Sequence, residues 1–176
     1  NLLKENIDED LIYITGNTVI DALKTTVKED YVFENEVLKN LDFENKRVIL
    51  VTAHSRENLG EPLENICQAI RHISENYSDV EIVYPVHLNP AVQEVAKRNL
   101  EDRPNVHLIA PLDVQELHNA MNKCYMVMTD SGGIQEEAPA LGKPVLVLRT
   151  ETERPEAVAA GTVKIAGVNK EVIVSS

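Results

Sequence analysis

Residues 129–144 read Thr-Asp-Ser-Gly-Gly-Ile-Gln-Glu-Glu-Ala-Pro-Ala-Leu-Gly-Lys-Pro, a turn of small residues set between an apolar run and a helical pattern. The preceding run, 124–129, has the composition of a short buried strand; Ile134, Ala138 and Leu141 then recur at helical spacing, and Gly142 and Pro144 mark a stop. Ser131, Gly132 and Gly133 therefore fall at a strand-to-helix switch. Such a turn presents backbone N–H groups at the positive end of a helix, and the glycines let a phosphate approach without a Cβ in the way. The expected ligand is an anion, most simply a phosphate. A tight connection that binds nothing accounts for the same residues.

Other polar clusters follow apolar runs in the same manner. The loop at 52–60 reads Thr-Ala-His-Ser-Arg-Glu-Asn-Leu-Gly. His54 can donate to, or protonate, a phosphate oxygen near neutral pH, and Arg56 can supply a fixed charge; alternatively His54 caps the strand and Arg56 pairs with Glu57 or another acid. Glu136 and Glu137 suit the first turn of the helix after Gly133 electrostatically, and a carboxylate one turn past a phosphate-binding turn can also reach ribose hydroxyls. In 149–156 two arginines sit among three acids, so Arg154 can either contact a ligand across the rim or take part in exposed salt bridges. His87, before Asn89-Pro90, reads first as part of a helix entry. His72, His107 and His118 read as satisfied or solvated rings, and Met121, Met126 and Met128 as core. The sequence has no metal-ligand spacing, Walker motif or GxGxxG fingerprint.

These loops need a scaffold, and the hydrophobic pattern supplies one. Apolar runs at 48–53, 80–85, 106–109, 124–129, 144–149 and 162–166 are expected as strands, and they alternate with helical patterns at 61–76, from 89, at 113–122, from 134 and at 154–160. Asp113 and Glu116 have capping-box spacing. Before them, a helix is expected at 18–27 behind Asn17, and another at 35–41. The run 11–15 reads as a lone strand whose partners lie outside the sequence, and a helix is expected to be missing after the last strand. This is an α/β, Rossmann-like pattern of about six parallel strands with helices on both faces. Ligands bind such sheets at the carboxyl ends of the strands, near a switch in strand order, which brings the loops after Ala53, Tyr84, Ile109, Thr129 and Arg149 to one rim.

Composition narrows the function classes. The 176 residues suit one domain, with 43% hydrophobic residues and no apolar run of the roughly 20 residues a membrane span needs. A formal charge of −12 opposes a nucleic-acid footprint, so an anionic ligand must be held by local groups. Cys67 and Cys124 lack metal or redox spacing and read as reduced core residues of a cytoplasmic protein. There is no initiator Met and no signal-peptide pattern, so the chain is read as a piece of a longer one.

The segments TAHSRENLG at 52–60, YPVHLNP at 84–90, TDSGGIQEEAPALGKPVLVLR at 129–149 and TERPEAVAAGT at 152–162, with TGNTVIDAL at 15–23, resemble the non-hydrolysing UDP-N-acetylglucosamine 2-epimerases. The resemblance covers nearly the whole chain; hydrolysing relatives differ around the SGG turn and the ERPEA segment. It implies one half of a glycosyltransferase-B-like fold: a linker segment at 1–45, then a UDP-binding Rossmann-like domain at 46–176. It also implies interconversion of UDP-GlcNAc and UDP-ManNAc by eliminating UDP to give 2-acetamidoglucal and adding UDP back, without a cofactor or metal.

On that resemblance Ser131, Gly132 and Gly133 bind the diphosphate, Glu137 the ribose and Arg154 the substrate. His54 is the catalytic candidate beside the leaving phosphate, and the loop from Pro111 holds the uracil. The carboxylates that handle the sugar protons belong to a first domain, so this chain is expected to be inactive alone and to act in a full-length homodimer. One departure concerns an effector site. The family usually has His-Arg-Arg-Glu-Asn where this chain has His54-Ser55-Arg56-Glu57-Asn58, and in relatives activated by a second UDP-GlcNAc that arginine and the histidine at His87 help bind it. Ser55 removes a bidentate phosphate ligand, so weak activation is expected. A UDP-sugar glycosyltransferase domain and a nucleotide-binding module without a reaction are the competing readings.

Overall fold

The computed structural model describes residues 2–152 and 154–176. Its centre is a parallel sheet of six strands: β1 (Arg47–Thr52), β2 (Val80–Pro85), β3 (Val106–Ile109), β4 (Met126–Thr129), β5 (Val145–Val147) and β6 (Val163–Ile165). The order is β3-β2-β1-β4-β5-β6, so the chain winds outward from β1 on one side, returns, and winds outward again from β4. The resulting crevice lies between the carboxyl ends of β1 and β4, where Thr52 is in register with Thr129. All the expected sheet strands form: β2 and β3 with the expected bounds, β1 shifted back by one residue, and β4, β5 and β6 trimmed by one or two residues at one or both ends.

The strands are mostly apolar because both faces are covered, with Arg47, Glu81, His107 and Lys164 as charged or polar exceptions. In β1, Ile49 and Val51 enter one core with α3 (Glu61–Asn76), α4 (Pro90–Leu100) and α8 (Lys170–Ser175), whereas Val48 and Leu50 enter the opposite core. The helix α3 starts with Pro62 in its first turn and buries Leu63, Ile66, Cys67 and Ile70 along one stripe. Burying each of those Leu and Ile side chains contributes about 1.5–3 kcal/mol before conformational entropy is subtracted. Cys67 and Cys124 are free and buried, and burial pushes both thiols up to about 12, which leaves them poor nucleophiles.

The opposite core also holds the chain ahead of β1. Here α1 (Thr18–Thr26) packs on α5 (Val114–Lys123) and α6 (Ile134–Ala140), while Phe33 and Leu38, the latter on α2 (Glu36–Asn40), are buried. A polar seam fastens this segment to α5. Glu116 Oε1 accepts from the amides of Glu34 (2.7 Å) and Asn35 (3.0 Å), and Asn119 accepts from Lys28 N (3.0 Å) while donating to Thr26 O (2.8 Å). Asp113 does cap α5 through Glu116 N at 2.8 Å, but the Glu116 side chain is thus turned toward the seam rather than closing a capping box.

One expectation fails, that of a missing terminal helix. Glu9–Leu11 forms a 3-10 turn, and the residues of 11–15 after it pair with no strand among the described residues, an observation that does not bear on partners outside this sequence. Tyr13 and Ile14 are 79% and 99% exposed, so β propensity without a neighbouring edge yields only extended chain. At the other end a helix does follow the last strand. In α8, Asn169 caps Val172 N at 3.1 Å and Ile173 is buried against the first core, which holds the β-branched run Val172-Ile173-Val174 in a helix. Among the described residues no helix is long and apolar enough to cross a membrane.

Candidate functional site

The crevice is built on a pair of threonines. Thr52 and Thr129 end β1 and β4, both are buried, and their hydroxyls lie 2.6 Å apart; Thr129 Oγ1 also accepts from Ser131 N at 2.9 Å. Between them Asp130, 1% exposed, turns its carboxylate back toward β1. Asp130 Oδ2 accepts from His54 N (2.9 Å), Ser55 N (2.8 Å) and Asn58 Nδ2 (3.0 Å). Asn58 also donates to Leu148 O at 3.0 Å, and Ser55 Oγ to Asp130 O at 3.3 Å. A buried carboxylate is tolerated because charge-assisted hydrogen bonds replace its water. Asp130 and Asn58 were not singled out in the sequence; the one available signal was an acid placed directly between a buried strand and a glycine pair.

Held in this way, the His54 side chain points outward. Its backbone is fixed, its ring is exposed, and its centroid lies 5.4 Å from that of His87. Tyr84 supports the loop from below, donating from its buried hydroxyl to Ala53 O at 2.6 Å, and burial raises its pKa. His87 Nδ1 accepts from Asn89 N at 3.1 Å, and Asn89 caps α4. Glu57 pairs with Arg149 at 2.5 Å rather than with Arg56, which is exposed and forms no salt bridge among the described residues. An apolar cleft involving Val86, Leu88, Leu108, Ile109 and Pro111 opens beside this loop.

On the other side of the crevice lie Ser131, Gly132 and Gly133, with Gly133 at φ −66° leading into α6. Among the described residues the amides of Gly132 and Gly133 have no hydrogen-bond partner. The two acids of α6 diverge. Glu136 accepts from Asn17 Nδ2 at 2.5 Å and pairs with Arg154; first the Asn17 bond and then Arg154 hold its carboxyl below the usual range. Arg154 N donates to Thr152 Oγ1 at 3.0 Å, and Thr152 Oγ1 donates to the buried Gln135 Oε1 at 2.5 Å. Glu137 instead folds back beneath the turn, where a Cβ on Gly133 would lie 3.2 Å from its Oε1. The sequence thus brings His54, Ser55, Ser131, Gly132, Gly133, Glu137 and Arg154 to one rim, with His87 against His54. The described residues contain no group of acids, histidines or cysteines arranged for a metal.

The family model described as UDP-N-acetylglucosamine 2-epimerase matches residues 1–176. The chain belongs to the UDP-N-acetylglucosamine 2-epimerase family. A Bacillus subtilis UDP-N-acetylglucosamine 2-epimerase is 56% identical over 171 residues, which are 97% of this chain and 44% of that protein. A Neisseria meningitidis UDP-GlcNAc 2-epimerase solved with UDP-GlcNAc superposes with a TM-score of 0.90 at 45% identity, covering 99% of this chain and 48% of that one. S. aureus MnaA, solved with UDP, gives 0.90 at 48% identity over 99% of this chain and 47% of that one. The chain therefore spans about half the length of the relatives it matches.

Proposed function

We propose that this chain is the UDP-holding half of an enzyme that interconverts UDP-GlcNAc and UDP-ManNAc. The observation that carries the proposal is the convergence of an exposed imidazole at His54, the partner-free amides of Gly132 and Gly133 and the Glu137 carboxylate at the β1/β4 switch, within a chain matched to the epimerase family from end to end. The S. aureus and N. meningitidis relatives, solved with UDP and UDP-GlcNAc, support the ligand class.

In this account residues 46–176 form the nucleotide domain, residues 1–45 join it to a first domain, and the whole acts as a cytoplasmic homodimer. The Ser131–Gly133 turn takes the diphosphate, Glu137 the ribose, and Arg154 moves from Glu136 toward the substrate. A carboxylate of the first domain removes the C2 proton. The C1–O bond breaks, its electron pair leaves with UDP, and C1 and C2 become doubly bonded in 2-acetamidoglucal. His54 donates to the departing phosphate, and re-addition with protonation of C2 from the opposite face gives the epimer.

Incubating the full-length enzyme with UDP-GlcNAc and no acceptor tests the reaction. UDP-ManNAc should appear; release of UDP with free sugar, or no conversion, would refute it. A glycosyltransferase needs an acceptor and a binding module converts nothing, so the same assay separates both alternatives. The chain alone is expected to be inactive.

Gly133→Ala tests the turn. At φ −66° alanine costs no backbone strain, so folding stability should stay within about 1 kcal/mol of the parent. Its Cβ must push Glu137 Oε1 aside from 3.2 Å, and UDP affinity measured by calorimetry should fall about 5–10-fold, or roughly 1 kcal/mol. Unchanged affinity would remove Glu137 from the site. At Ser55, whose short side chain is bonded to Asp130 O, the full-length enzyme should show hyperbolic saturation by UDP-GlcNAc without a lag. Sigmoidal activation would mean that an effector site with His87 persists despite the missing arginine.

A further inference from the structure

His118 is nearly sealed from water, at 2% exposure in the middle of α5, and both of its ring nitrogens have partners. Nε2 lies 3.3 Å from Glu137 Oε2, and Nδ1 lies 2.8 Å from Thr26 Oγ1 on α1. Thr26 Oγ1 is in turn 3.1 Å from Ala22 O, and the Thr26 carbonyl is pinned by Asn119 at 2.8 Å. The Nε2–Oε2 approach is an ion-pair distance, and with Nδ1 set by Thr26 the Nε2 edge of the ring lies directly behind Glu137 Oε2.

The two oxygens of Glu137 therefore have separate tasks. Oε2 is held from behind by His118, whereas Oε1 lies beneath Gly133 and has no hydrogen-bond partner among the described residues. We infer that His118 is a positioning residue for nucleotide recognition: through Thr26 and Glu137 it presents one carboxylate oxygen to the ribose. The inference rests on the reading of Glu137 as the ribose ligand. Packing a binding side chain against a buried partner restricts its rotamers before the ligand arrives, which is where such support gains affinity. It also makes α1, ahead of β1, part of the support of the nucleotide site.

The test compares UDP with 2′,3′-dideoxy-UDP, which lacks the ribose hydroxyls, by calorimetry on the full-length enzyme. The parent should prefer UDP by about tenfold or more. His118→Leu should lose that preference, with weaker UDP binding and unchanged dideoxy-UDP binding, while His118→Gln, which can keep a donor near the Nε2 position, should retain most of it. A general packing defect would weaken both ligands alike. If His118→Leu keeps the parent's preference, the positioning role is overturned. If the parent itself does not distinguish the two nucleotides, the ribose role of Glu137 fails first and the inference falls with it. Should His118→Leu not fold, Thr26→Val decides: a reduced preference supports the relay, and an unchanged one overturns it.

Discussion

Asp130→Ala is expected to destabilise the chain by about 3 kcal/mol or more, because it leaves donors around a buried acceptor without a partner. The carboxylate is 1% exposed and accepts from His54 N, Ser55 N and Asn58 Nδ2. Among the described residues only Asn58 has another acceptor, at Leu148 O. The urea midpoint should fall by about 1–2 M for a chain of this size. In the full-length enzyme turnover should fall by at least about 100-fold, since displacing a catalytic loop by an ångström is enough to cost that much. Asp130→Asn sharpens the argument. It preserves shape and keeps an amide oxygen that can take the Oδ2 position, where the bonds from His54 N, Ser55 N and Asn58 converge, so it should cost distinctly less stability than alanine. An asparagine variant as unstable as the alanine one would show that the carboxylate charge, rather than acceptor capacity, holds the loop.

His54→Ala is expected to do the reverse. The loop is held through the His54 amide, which alanine retains, and the ring is exposed; stability should therefore change by no more than about 0.5 kcal/mol. The full-length enzyme should lose about 100- to 10,000-fold in kcat, the range for removing a group that donates to a leaving phosphate. UDP affinity should change much less, because the diphosphate is assigned mainly to the turn at Ser131–Gly133. His87→Ala is the control, since its ring lies 5.4 Å from His54 but its Nδ1 is engaged with Asn89. A kcat loss under about fivefold for His54→Ala would remove the imidazole from the chemistry.

The contrast between Asp130 and His54 also marks how far the sequence could be read. The runs at Val48–Val51 and Ile82–Tyr84 are apolar at successive positions because both faces of a parallel sheet are covered, and that pattern is local. The outward residues of the site are legible for the same reason: they follow strand ends on the carboxyl rim. Asp130 is different, because its role depends on β4 lying beside β1, a neighbour separated from it by two intervening strands of sequence. The same holds for the bonds of His118 to Thr26 and Glu137, and for Glu116, whose spacing to Asp113 suggests a local cap while its carboxylate serves residues more than eighty positions away. At 11–15 the chain has no edge to pair with among the described residues, and at α8 an Asn cap and burial of Ile173 favour a helix despite β-branching.

The central claim is that the crevice between β1 and β4 is the diphosphate and ribose half of a nucleotide-sugar site. A crystal structure of the enzyme with UDP tests it most directly. The account predicts phosphate oxygens on the amides of Gly132 and Gly133, the His54 ring facing the terminal phosphate, and a ribose hydroxyl on Glu137 Oε1. UDP bound with its phosphates away from Ser131–Gly133, or with its ribose beyond reach of Glu137, would contradict it.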